Sequence, residues 1–378
     1  MRKILQLIAI LLIPAIPALA ENPSYATALS LYPCVIHTPQ QLALIREQLD
    51  TDPVRNAWLR LQQEADQALS HTPTPPENFD VPGYYEDKPG HQAAKKCLRE
   101  DGGAAYTLAL AYQLHPDKSQ KQEYSAKAIQ ILNAWAAKNK KVSNSDGDLT
   151  MIYKGILLVL AADLMMDYPA WEGKETFKTW MNNVFLKSAD TIKDRPNNWG
   201  AWGIFGAICV ARINHDDAAL QDGIGLIKGY IASAIDEKGE LPQENKRHVK
   251  GMWYTFFALS PLSSAMLVAR NAGTDLFNYT SDNGRSLKMA LDKYFQYAVN
   301  PDTWPYRHPT DPLEIIQSLI SPQANQIELP TKEDWPGNLY EAMSVIYKEQ
   351  NWDNWVKGTR PHQGSEFWTC PTLMIPGL

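Results

Sequence analysis

From Asp101 onward, apolar residues return every three or four positions through segments near 102–115, 122–137, 149–167, 175–192, 199–213, 217–236, 247–271 and 284–299. That spacing lines one face of an α-helix. His115-Pro116, the polar run Ser143 to Gly147, Pro169, Pro196, Gly239 and Gly273 separate the segments, and residues of this kind stop helices. Two earlier helices are predicted. One runs from about Pro39 to Leu49 with Leu42, Leu44, Ile45 and Leu49 inward, the other from about Pro53 to Leu69. Strand-like alternation is nearly absent before residue 300. Helices of similar length with short connections predict an all-α fold, an incomplete α/α barrel or toroid of antiparallel helix pairs. No crisp repeat marks a solenoid. No internal linker appears, so residues 21–378 read as one domain.

Two regions leave the helical pattern. Residues 71–92 are rich in proline and carry Tyr84 and Tyr85. A loop this long within a domain suggests a purpose, and a lid over a cleft is the functional reading. A surface wrap is the structural alternative. Near the C-terminus, WPYRHP places Tyr306, Arg307 and His308 on a loop. Trp335, Trp352, Trp355 and Trp368 follow, either closing the barrel or lining its mouth.

The first twenty residues, MRKILQLIAILLIPAIPALA, have a short basic start, an apolar core and Ala18-Leu19-Ala20 before Glu21. That is the pattern of a secretory signal peptide, so a periplasmic or secreted protein is expected. No later apolar run reads as a bilayer span, and no membrane association is expected after signal removal. The formal charge is −6. A net acidic chain is a poor nucleic-acid binder, and an anionic substrate would need positive charge focused in a cleft. Among the four cysteines, Cys209 reads as a buried thiol, and Cys34 and Cys97, which flank the proline-rich loop, as the best pair for a disulfide. None has metal-ligand spacing. No cofactor or metal is expected, and a monomer is.

The candidate chemistry sits in Leu241 to Leu262, LPQENKRHVKGMWYTFFALSPL. Read as one helix, it sets Arg247 and Tyr254 two turns apart on a face shared with Lys250, while Lys246 and His248 flank them. A guanidinium, an ammonium and a phenol in line suit an anionic substrate whose proton must move. A solvated helix face is the plainer alternative. In DRPNNWGAWGIFG, Asn197 or Asn198 can cap the next helix, and Trp199 and Trp202 follow at helical spacing. Tryptophans beside amides suit the C–H faces of sugars. Neither G-x-S-x-G nor a P-loop occurs.

The Asn-Asn pair before an aromatic helix, Leu-Pro-x-Glu-x-Lys-Arg, the tyrosine seven residues later and Ala-Leu-x-Pro-Leu together resemble the alginate lyase family of helical polysaccharide lyases. FDVPGYYEDKPGH and DGGAAYTLALAY are similar to that family's lid and first barrel helix, and the resemblance runs from about Tyr32 to Tyr306. It implies a lyase acting on 1,4-linked uronic acid polymers, in which Tyr254 moves the proton and Asn198 and Arg247 neutralise the substrate carboxylate. Tyr84, Tyr85, Asn197, Trp199, Trp202, Lys246 and Lys250 are then expected to bind substrate. The cations are expected to lower the Tyr254 pKa from about 10. The chain departs from the family at Trp199, where a histidine usually follows the asparagines, and His248 is the candidate replacement. Two other classes stay open. One is a glycoside hydrolase, for which Glu240, Glu244 and Asp194 are present without an evident pair. The other is a non-catalytic polysaccharide-binding protein.

Overall fold

The computed structural model describes residues 32–307, 315, 329–362 and 368–378. The expected signal peptide, the arm that follows it and His308 lie outside them. Helix starts follow local chemistry. Thr38 and Gln41 form a reciprocal capping box at α1 (Pro39–Arg46), and α2 spans Val54–Ala68. Asp87 accepts from the Gly90 amide and starts α3 (Lys88–Leu114) with Pro89 in its first turn. Asp117 caps α4 (Lys118–Lys138), and α5 covers Gly147–Met165. α6 (Lys174–Trp180) runs through a π-helical stretch, Met181–Leu186, into α7 (Lys187–Ile192). Asn197 caps α8 (Asn198–Ile213), Asp216 caps α9 (Asp217–Ala234), and Ser286 caps α12 (Leu287–Val299).

The layering follows from which helices are apolar on every side. α5, α8 and α11 (Gly251–Asn271) are buried along nearly their whole length, whereas α4, α9 and α12 bury one face. α3 packs on α5, α5 on α8 and α8 on α11, making an inner wall. α4 covers α3, α9 covers α8 and α12 covers α11. Each inner helix is followed by an outer one running back, so the inner helices are parallel and share one N-terminal end. This is the α/α toroid that periodicity predicted. The apolar window His248–Asn271 has the length and mean hydropathy, 1.3, of a bilayer span, which the sequence reading had not credited. It is 89% buried within the protein and is a core helix.

Two expectations need correction, and one open choice is resolved. The proline-rich region is not one long loop. Asn78–Asp80 forms β1, which pairs in parallel with β2 (Lys141–Ser143), and α3 begins at Lys88. His71 and the Thr74 amide are bound to buried Asp101, and the Asn139 amide donates to the Pro76 carbonyl. Residues 82–87 form the turn between this anchored base and α3. All four cysteines are free: Cys34 lies against Asp163 at the far end of α5, whereas Cys97 lies on α3, so the expected bridge does not form. Cys209 is the buried thiol expected. The C-terminal tryptophans close the wall. Trp352 and Trp368 are buried, Trp335 packs on Phe256 of α11, and Trp355 packs edge-on to Phe295 of α12.

Candidate active site

A cavity of about 210 Å³ opens at the shared N-terminal end of the inner helices. α3 supplies His91, Gln92 and Lys95, and the first turns of α5 supply Leu149 and Tyr153, with Asp146 just before them. α11 supplies Trp253, Tyr254 and Phe257, Lys250 precedes it, and the loop tip supplies Tyr84 and Tyr85. Trp253 and Phe257 stack at 4.6 Å and 18°, giving an aromatic wall. Three parallel helix N-termini around one cavity favour negative charge inside it.

The family-like segment reaches this cavity by a break. Pro242–Asn245 forms one helical turn (α10), His248–Lys250 a 3₁₀ turn, and α11 starts only at Gly251. His248 lies in the left-handed region (φ 51°), which bends the chain between them. Gly251 is needed where it stands, because a Cβ there would come 2.6 Å from the Trp304 ring, whose Nε1 donates to the His248 carbonyl at 3.0 Å. The single-helix reading therefore fails, yet its pairing survives. Arg247 donates to the Tyr254 hydroxyl at 3.2 Å, and its guanidinium lies 4.6 Å above that ring. The hydroxyls of Tyr85 and Tyr254 are 2.8 Å apart. Burial pushes the Tyr254 phenol above its usual range and Tyr85 adds to this, while the Arg247 charge pulls it back. The expected lowering is thus reversed, because the loss of water outweighs one cation.

The Asn pair divides its work. Asn197 is the helix cap, its side chain accepting from the Trp199 amide at 3.2 Å. Asn198 is buried and turned onto Glu244: its amide nitrogen and Nδ2 donate to the two carboxylate oxygens at 2.6 and 2.9 Å. Its Oδ1 is buried without a hydrogen-bond partner. Burial pushes Glu244 up to about 7, against the bonds from Asn198 and the Arg247 charge. Neither Asn197 nor Asn198 lines the cavity.

Trp199 is half-buried under the Arg195 guanidinium, 4.0 Å from its ring. Gly200 lets the Arg195 backbone lie against the start of α8, since a Cβ there would meet the Arg195 carbonyl at 1.8 Å. Trp202 was expected to meet sugar, but it is fully buried between Tyr153, Phe205 and Phe257 and supports the cavity wall from behind. Lys246 is exposed and bonds to Gln243, and neither it nor His248 lines the cavity. Sequence reasoning missed His91, Gln92, Lys95, Asp146, Tyr153 and Trp253. Asp87-Lys88-Pro89-Gly90 is a helix-start signature that would have placed His91, Gln92 and Lys95 on one face. Asp146 was hidden in a run read only as a break. Among the described residues, no cluster of three or more His, Cys, Asp or Glu is placed to hold a metal ion.

A family model described as alginate lyase matches residues 47–304, more than half of the chain. The chain belongs to the alginate lyase family. It is a polysaccharide lyase. A protein of Stenotrophomonas maltophilia (strain K279a) described as a polysaccharide lyase is 25% identical over 243 residues, covering 60% of this chain and 73% of that protein. Among solved structures, an alginate lyase from Bacteroides ovatus superposes with a TM-score of 0.67 at 20% identity, over 91% of this lyase and 99% of that chain. A histidine-to-alanine variant of alginate lyase A1-III complexed with a tetrasaccharide gives 0.68 at 18% identity, over 90% and 96% of the two chains. Likeness at this identity carries the fold. The cavity residues stand on their own geometry.

Proposed function

We propose that this lyase is exported and cuts β-1,4-linked mannuronate or glucuronate polymers by syn elimination, with Tyr254 as both base and acid. The observation that carries the reading is the Tyr254 hydroxyl, held by Arg247 at 3.2 Å on the wall of a cavity ringed by helix N-termini. Ionised Tyr254 takes the C5 proton, leaving the C–H electron pair on C5 and delocalised into the neutralised carboxylate. That pair forms the C4–C5 double bond as the C4–O4 bond breaks, its electrons leaving on O4, and Tyr254 returns the proton to O4. The C5 proton is acidic only when the adjacent carboxylate is neutralised. With the Asn198 amide committed to Glu244, that task falls to Lys250 on the cavity wall and to Arg247, which stands just behind the lining against the Tyr254 hydroxyl, supported by the helix dipoles.

One group suffices when the proton and O4 lie on the same face of the ring, as in D-mannuronate and D-glucuronate. L-guluronate puts the proton on the other face and needs a second group there. Trp199, at the family's histidine position, cannot accept a proton. The signal-like N-terminus supports export. The test is product absorbance on defined polymannuronate, glucuronan and polyguluronate, side by side. At least about tenfold preference for one of the first two over polyguluronate is expected. Comparable rates on polyguluronate would end the single-tyrosine reading.

A further inference from the structure

Asp146 sits at the residue before α5, where an aspartate ordinarily caps its own helix, yet its side chain makes no capping bond. Its carboxylate is spent on the loop tip instead. Oδ2 accepts from the Tyr84 amide at 2.8 Å and lies 3.3 Å from His91 Nδ1. The same His91 nitrogen is 3.0 Å from the Pro82 carbonyl, and the His91 ring meets the Tyr84 ring edge-on at 5.4 Å. The tip is also closed on itself, with the Glu86 and Asp87 amides both donating to the Gly83 carbonyl. Carried on this turn, Tyr85 is 64% exposed, yet its hydroxyl rests on Tyr254. The backbone beneath this solvent-facing side chain is fastened at Pro82 and Tyr84, while Arg247 lies 5.1 Å over its ring and Ser145 donates to Glu86 on the same turn.

We propose that Asp146, together with His91, is a latch that positions Tyr85 against Tyr254: both are positioning residues acting through the tip at residues 82–87. The base of the loop is held separately by β1, β2 and Asp101, so releasing the latch frees the tip and not the whole loop. Because the Asp146 side chain makes no capping bond to α5, its removal takes no hydrogen bond from that helix start.

The first test needs no substrate and so does not depend on the polyuronate reading. Wild type and Asp146→Ala are exposed to chymotrypsin under native conditions, and cleavage after Tyr84 and Tyr85 is followed by mass spectrometry. The latch requires cleavage there to rise about tenfold in the variant, with cleavage elsewhere and Tm little changed. An unchanged rate at these bonds would overturn it, as would a general rise at all sites. The second test rests on the proposed function and is a double-mutant cycle on the preferred polyuronate. Asp146→Ala should lower kcat/KM about tenfold in the wild-type background, and less than about twofold when Tyr85 is already phenylalanine. An equal loss in both backgrounds would show that Asp146 does not act through Tyr85. If the proteolytic difference appears in a protein that cleaves no polyuronate, the latch stands and the substrate reading fails.

Discussion

Arg247→Ala isolates the interaction on which the proposed chemistry turns. Burial pushes the Tyr254 phenol above its usual range, and Arg247 is the group pulling it down. The guanidinium donates to the hydroxyl at 3.2 Å. A hydrogen bond to a charged group contributes about 1.5–3 kcal/mol, so losing it where the phenolate must form should cost roughly ten- to 150-fold in kcat. The substrate carboxylate loses its neutralising partner at the same time, so kcat/KM should fall further than kcat. Activity should rise with pH in the wild type as the phenol ionises, and the variant's rise should lie at higher pH. Arg247→Lys should recover little, because an ammonium cannot both lie flat over the Tyr254 ring and donate in a fixed fork. The assay is initial-rate formation of unsaturated product across a pH series, with Tm recorded alongside. Arg247 is solvent-exposed, so folding should survive. A loss in kcat/KM below about threefold, or a pH profile that does not move, would refute the argument.

Tyr254→Phe should keep the fold and lose about 10²–10⁴ in kcat, measured by the same assay, because only the hydroxyl is removed. Glu244 gives a pH prediction: its folded pKa of about 7 exceeds its ordinary 4.5, so its protonated form is favoured by folding. The stability it contributes is full below about 4.5 and lost as pH rises through 7, on the order of 3 kcal/mol in all. Buried Asp163 is raised in the same range, so the difference in urea-unfolding free energy between wild type and Glu244→Gln between pH 5 and 8 is the measurement, and a flat difference refutes it.

What was legible in the sequence was whatever a period or a spacing encodes. The toroid followed from apolar residues returning every three to four positions, since inner helices such as α5 and α11 must be apolar all round to sit between two layers. The Arg247–Tyr254 pair followed from a family-like spacing, although the geometry behind that spacing is a bend at His248 and not two turns of helix. Whether a tryptophan faces sugar or core is another matter. Trp199 and Trp202 are three residues apart on α8, yet one lies under Arg195 and the other is sealed between Tyr153 and Phe257. That choice depends on which neighbours α5 and α11 present, information that lies fifty residues away in each direction. The same holds for Asn198, whose amide would be free for a carboxylate if Glu244 did not take it. The protein's own carboxylate occupies the donors that a family reading reserves for the substrate. While Glu244 is ionised those donors stay committed and the substrate carboxylate is left to Arg247, Lys250 and the helix dipoles. Burial pushes Glu244 up to about 7, and a protonated Glu244 holds the two Asn198 donors less tightly than a carboxylate does.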